Sequence, residues 1–185
     1  AIRRQRQMCI RDRDMAAKYS DIMPMLGEMR RLKDILKAKR QRRGAIDFDL
    51  PEADIHLDGN GRAVGVSLHI RGEANMMIEE FMLAANETVA REGVDKGLPL
   101  MYRVHEAPDP ERIKELNTFL HTLGYGVGNA EKVQPADVRK MLLKAAGSSE
   151  ERVINNVTLR AMTKAKYSPD CDGHFGLAAK YYCHF

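Results

Sequence analysis

At 185 residues, 44% of them apolar and 30% charged, the chain can bury a core and carries a formal charge of +4. No apolar run approaches the ~18 residues that a membrane-spanning helix requires, and nothing in the sequence suggests secretion. Three cysteines (Cys9, Cys171, Cys183) at irregular spacing argue against a disulfide framework, so a reducing cytoplasm is the expected setting.

The charge is unevenly placed. Residues 1–14, "AIRRQRQMCIRDRD", hold five arginines against two aspartates, which accounts for +3 of the +4. They show neither helical nor strand periodicity and read as an unstructured or artefactual basic segment ahead of a folded unit at 15–185. From Met15 to Arg43, Ile22, Met25, Met29, Leu32, Ile35 and Leu36 recur at three- and four-residue steps and predict one helix with a narrow apolar stripe. Its other side is dense in Arg and Lys from Arg30 to Arg43. Such a face is ordinarily solvated, and its near-single sign also fits contact with phosphate.

Gly44 stops that helix and the period changes. "AIDFDL" alternates Ile46, Phe48 and Leu50 against Asp47 and Asp49, which predicts a short strand. "ADIHLDGNGRAVGVSLHI" reads as strand, Asp-Gly-Asn-Gly turn, strand. A helix is predicted from Glu73 to about Glu92, then a short strand in "LPLMYRVHEAP". The next helix has Asp109 as its N-cap, Pro110 at its first position and Gly124 beyond its end. "QPADVRKMLLKAAG" and "SEERVINNVTLRAMTKA" predict two more helices, and "YSPDCDG" a turn. Helices and strands mix without strict alternation, which makes the class α+β with short antiparallel strands.

The helix "NMMIEEFMLAANETVARE" separates into lines at i, i+4, i+7 and i+11. Ile78, Met82, Ala85 and Val89 form an apolar line expected to face the core. Glu80, Ala84, Glu87 and Arg91 form a charged line expected to face solvent. Glu79, Leu83, Asn86 and Ala90 form a mostly apolar line that holds a carboxylate and a carboxamide. Glu79 on that line takes either a border salt bridge or, with Asn86, a place in a polar ligand cavity.

Two other groupings resemble metal sites. Asp47, Asp49, Asp54 and Asp58 could supply the one or two carboxylates that Mg²⁺ needs, but Asp58 belongs to a turn and the others to the polar faces of strands. Cys171, His174, Cys183 and His184 lack paired knuckle spacing, and adjacent Cys183 and His184 on an extended backbone point to opposite sides. A structural reading is preferred for both.

"RRGAIDFDLPEADIHLD", "IEEFMLAANETVA" and "GHFGLAAKYYCHF", in that order and spacing, resemble the catalytic domain of the RNB family, ribonucleases R and II. The "NNVTLRAMTKAKYSPDCDGHFGLA" segment is similar to the ribonuclease R branch. The likeness runs from about Tyr19 to Phe185 and implies the C-terminal portion of an RNB-type catalytic domain. It implies a processive 3′→5′ exoribonuclease of single-stranded RNA, acting in the cytoplasm as a monomer without membrane association. Mg²⁺-bound water would release nucleoside 5′-monophosphates.

By the same resemblance Phe48 stacks on a base near the 3′ end, although its pattern fits a core residue equally well. Glu79 meets the 3′-terminal nucleotide, where the 2′-hydroxyl separates RNA from DNA. Asn86, His174 and Tyr182 complete the expected RNA contacts. The family's aspartate cluster that holds Mg²⁺ lies upstream of these motifs, and its Thr-Ser-Pro-Ile-Arg-Arg-Tyr motif follows the stretch matching "YYCHF". No catalytic residue or metal ligand is therefore expected within the chain, which reads as a window from a longer protein and as inactive alone. Two alternatives remain: a non-catalytic RNA-binding relative of the same fold, and a helical module that uses the basic 30–43 face on acidic partners.

Overall fold

The computed structural model describes residues 14–48, 53–69 and 71–184. In chain order it contains helix α1 (Met23–Arg43), strands β1 (Ala53–Leu57) and β2 (Ala63–Leu68), and helix α2 (Glu73–Asp95). Strand β3 (Tyr102–Val104), helices α3 (Pro110–Thr122), α4 (Pro135–Ala145) and α5 (Glu151–Ala161), and strand β4 (Lys166–Ser168) follow. β1 pairs with β2 and β3 with β4, both antiparallel, so the fold is α+β. No helix among the described residues is long and apolar enough to cross a membrane.

The single helix expected from Met15 is broken. Residues 14–18 are helical, 19–22 turn, and α1 begins at Met23. Pro24 explains the break, because inside a continuous helix its ring would clash with the carbonyl of Ser20 and remove a hydrogen bond. At the other end Gly44 takes φ 96°, and its N–H closes on the carbonyls of Arg40 and Gln41. A Cβ there would lie 2.8 Å from the Cβ of Ala136, so glycine lets the end of α1 abut the start of α4.

α1 and α2 run parallel, and charge forms their seam. Lys33 Nζ lies 2.9 Å from Glu73 Oε2, Arg40 Nη2 2.7 Å from Glu80 Oε1, and Arg43 Nη2 2.6 Å from Glu87 Oε1. Partners 40 to 44 residues apart thus meet in the same order along both helices. This corrects the expected faces. The buried residues of α1 are Lys33 and Arg40, while Met25, Leu32 and Ile35 of the stripe stay exposed. On α2, Ile78, Met82 and Val89 are exposed, whereas Glu80 is buried with Leu83, Asn86, Ala90 and Gly93. Four cations of the basic 30–43 face (Arg30, Lys33, Arg40 and Arg43) are spent on α2, which weakens the reading of that face as a free docking surface.

The β1–β2 hairpin forms where expected. Asp58 Oδ1 accepts from the backbone N–H of Asn60 (2.8 Å) and Arg62 (2.9 Å), a side-chain-held turn. Ala53 opposes Leu68 and Ile55 opposes Val66, so one face is apolar and exposed. The other carries Asp54, His56 and Ser67, with His56 Nε2 2.8 Å from Ser67 Oγ.

The main core lies among α3, α4 and α5. Ile113 and Leu120 of α3, Val138 and Met141 of α4, and Ile154 of α5 pack with Ile46 as a plug from the chain after α1. Asp109 caps α3 by accepting from Glu111 N–H at 2.8 Å, as its sequence position indicates. Residues 45–48 of "AIDFDL" do not form the expected strand, and Asp49 and Leu50 lie outside the described residues. Ile46 N–H donates to the Gly176 carbonyl at 2.8 Å instead of to a strand partner. The last helix ends at Ala161, and Tyr167 and Ser168, read as turn, belong to β4. A three-residue strand leaves almost no periodic signal; its pairing with the distant β3 defines it.

Candidate functional site

The site grows from the buried line of α2. Gly93 presents no side chain because a Cβ there would collide with Leu100, and this lets the chain turn back toward β3. Two helical turns earlier, Asn86 is 2% exposed, far below what a lone carboxamide tolerates without partners. Its Nδ2 donates to the Tyr182 hydroxyl at 3.2 Å and lies 3.5 Å from His184 Nδ1. Its carbonyl accepts from Cys183 Sγ at 3.3 Å.

Tyr182, 5% exposed, meets the His174 ring edge-on with centroids 5.2 Å apart, and His174 meets His105 edge-on at 4.9 Å. Asn86, Tyr182, His174 and His105 are therefore one contiguous polar–aromatic cluster. The loop carrying His174 is knitted to its surroundings. His174 and Ala179 exchange backbone hydrogen bonds, Phe175 N–H donates to the His105 carbonyl at 2.7 Å, and His105 N–H to the Gly173 carbonyl at 3.1 Å. Gly173 takes φ +80°, and a Cβ there would sit 3.0 Å from the Ala179 carbonyl oxygen, so the loop closes only with glycine at that position.

Both histidines are held neutral. Nδ1 of His105 accepts from Gly176 N–H (3.1 Å), and Nδ1 of His174 accepts from Leu177 N–H (3.2 Å). A nitrogen that accepts carries no proton, so each ring keeps its proton on Nε2. His105 uses it to donate to the Thr163 carbonyl at 2.9 Å. Burial lowers the His105 pKa against the opposing pull of that carbonyl. Burial, with His105 alongside, lowers that of His174 to about 4. Burial raises that of Tyr182, so its hydroxyl stays protonated. Beside the cluster, a cavity of about 810 Å³ opens between His105, His174, Arg43 and Lys180.

Three of the five residues expected to contact RNA thus come together: Asn86, His174 and Tyr182. Glu79 stands apart, paired with Arg71 at the start of α2 and about a third exposed, which realises its salt-bridge reading. Phe48 is half-buried against the α3–α5 core, which realises its packing reading. A feature that the spacing did not indicate links these two. Arg40 donates to Glu80, next to Glu79, and to Asp47, next to Phe48, at 2.7 and 2.8 Å. The signal was present as acids at 73, 80 and 87 facing cations at 33, 40 and 43, but nothing local announces a separation of 40 residues. His105 and Arg103, also unmarked by periodicity, complete the surroundings.

The aspartates read as a possible Mg²⁺ cage are otherwise engaged. Asp47 binds Arg40, Asp54 pairs with His69 and Asp58 holds its own turn, while Asp49 lies outside the described residues. Among the described residues no three His, Cys, Asp or Glu side chains converge as metal ligands. The described residues do not fit a Mg²⁺ site.

The profile of the RNB domain matches residues 4–185. The chain belongs to the RNB family. Ribonuclease R of Aquifex aeolicus is 40% identical over 178 residues, 96% of this chain and 25% of that protein. Ribonuclease R of Thermotoga maritima is 38% identical over 177 residues, again 25% of its length. This RNB chain therefore spans about a quarter of the curated relatives it matches. Among solved structures, RNase R of Mycoplasma genitalium in complex with ribose-methylated single-stranded RNA superposes with a TM-score of 0.83 at 27% identity. That match covers 89% of this chain and 26% of that one. Yeast Ssd1, a pseudonuclease, has a TM-score of 0.53 at 23% identity, covering 63% of this chain and 15% of that one, a likeness of fold alone.

Proposed function

We propose that this RNB chain forms an RNA-holding part of a ribonuclease R-type 3′→5′ exoribonuclease, a cytoplasmic and monomeric enzyme that degrades single-stranded RNA processively to nucleoside 5′-monophosphates. The observation that carries the reading is the Asn86–Tyr182–His174 cluster, which joins α2 to the "GHFGLAAKYYCHF" segment, in a fold similar to that of an RNase R in complex with single-stranded RNA. Its rings are neutral, and the buried Asn86–Tyr182 pair backs the half-buried His174, whose ring offers an Nε2–H and an aromatic edge without a charge that would have to be neutralised first. That suits a strand held by shape and stacking more than by sequence. Glu79, on the exposed start of α2, is positioned to accept from a ribose hydroxyl once Arg71 moves aside.

Mg²⁺ would supply the nucleophilic water in this chemistry, and the described residues do not fit its site, so the chain is assigned the grip and not the cut. A non-catalytic relative would share that grip. The test is incubation of the purified chain with end-labelled single-stranded RNA and Mg²⁺, followed by electrophoresis. Retarded but intact RNA is the expected result. Release of nucleoside monophosphates would mean that the chain holds its own catalytic centre and would overturn the assignment.

A further inference from the structure

The β3–β4 ribbon carries a cation that the described structure leaves without an acid. Arg103 lies between Tyr102 and Val104, both buried, so strand alternation turns its side chain to the opposite face. There its guanidinium stacks over the ring of Tyr167, its direct cross-strand partner, 4.7 Å from the centroid. Among the described residues no carboxylate lies within ion-pair distance of it, and its fork makes no side-chain hydrogen bond. By contrast the nearby Lys166 is satisfied by Glu106 at 2.6 Å.

A half-buried guanidinium that sits over an aromatic ring, without side-chain hydrogen bonds among the described residues, is a preorganised receptor for a planar or tetrahedral oxyanion. Its position is tied to the cluster described above, since Arg103 N–H donates to the Tyr182 carbonyl at 3.0 Å. Its charge also reaches the neighbouring rings, opposing protonation of His105 and His174. The two rings beside it are therefore neutral and do not compete for an anion. Tyr167 remains 54% exposed, which leaves aromatic surface beside the cation.

We propose that Arg103, seated over the Tyr167 ring, binds one backbone phosphate of the single-stranded RNA that lies along the Asn86–Tyr182–His174 cluster. The inference rests on the reading of this chain as an RNA-holding element and adds a named phosphate contact to it. An acidic peptide would be gripped by the same fork, but not with a dependence on strand length and 3′ end.

The experiment is fluorescence anisotropy of a labelled oligoadenylate against the unaltered chain and the variants R103Q, R103K and Y167L over a series of salt concentrations. R103Q is expected to bind about tenfold more weakly, with a slope of log K on log salt shallower by about 0.7, the loss of one single-strand phosphate contact. R103K keeps the slope and loses part of the affinity, because a point charge remains without the fork. Y167L weakens binding and leaves the slope unchanged. Affinity and slope of R103Q equal to those of the unaltered chain would overturn the phosphate contact while leaving the RNA-holding reading intact. Absence of RNA binding by the unaltered chain would remove that reading itself, and the contact with it.

Discussion

Glu80→Ala is expected to cost about 3–5 kcal/mol of folding stability, the largest effect of any single charge removal in this chain. Glu80 and Arg40 are 4% and 5% exposed, and the guanidinium makes three hydrogen bonds to the carboxylate, the shortest 2.7 Å. Burial alone would disfavour the Arg40 charge, yet hydrogen bonds to Glu80 and Asp47 overcome it and hold the group more firmly protonated than a free arginine. Removing the acid leaves a buried cation with half its partners. Removing both members does not, and Arg40→Met with Glu80→Leu is expected to recover most of the loss. Urea unfolding of the unaltered chain, both single variants and the double variant gives the coupling directly. A Glu80→Ala variant within about 1 kcal/mol of the parent would show that the seam between α1 and α2 is held by something else. The network also carries consequences for the site, since Asp47 and Glu80 adjoin Phe48 and Glu79.

The second large effect concerns acid. His174 has its pKa lowered from about 6.5 to about 4 in the folded chain, mainly by burial. Between these values the unfolded chain binds a proton that the folded one refuses, so stability is complete above about pH 6.5 and falls as pH drops toward 4. At about 1.4 kcal/mol per pH unit, discounted for the partial exposure of the ring, the loss is on the order of 2 kcal/mol. His105, whose pKa is lowered in the same direction, adds to it. His174→Gln removes the titration, and its stability is expected to decline less steeply over that range. Parallel curves for the variant and the parent, from urea unfolding at stepped pH, would contradict the neutral, desolvated ring described here.

What could be read from the sequence divides along a physical line. Elements specified by neighbours in the chain were legible: the Asp58 turn, the Asp109–Pro110 start of α3 and the bounds of α2 all depend on contacts within four residues. The faces of α1 and α2 were not. Periodicity alone turns apolar lines inward, but the two helices meet through Lys33, Arg40 and Arg43 against Glu73, Glu80 and Glu87, and their apolar lines face outward. Adjacent positions on a helix differ by about 100° in direction, so assigning the core to the Ile78 line turns Glu80 outward. The buried strip is Leu83, Asn86 and Ala90 of the neighbouring line, with Glu80 in place of Glu79. His174 and Tyr182 were found through the resemblance of "GHFGLAAKYYCHF", whereas Arg103 and Tyr167 required the β3–β4 pairing, which no local pattern announces.

The central claim is that this chain holds single-stranded RNA as such. The most direct measurement is an equilibrium titration of the purified chain with single-stranded RNA and with DNA of matched sequence, at one salt concentration. The account predicts tighter binding of RNA, with Glu79→Gln narrowing the gap between the two ligands more than it weakens DNA binding. Equal affinity for RNA and DNA in the unaltered chain, or binding of neither, would contradict it.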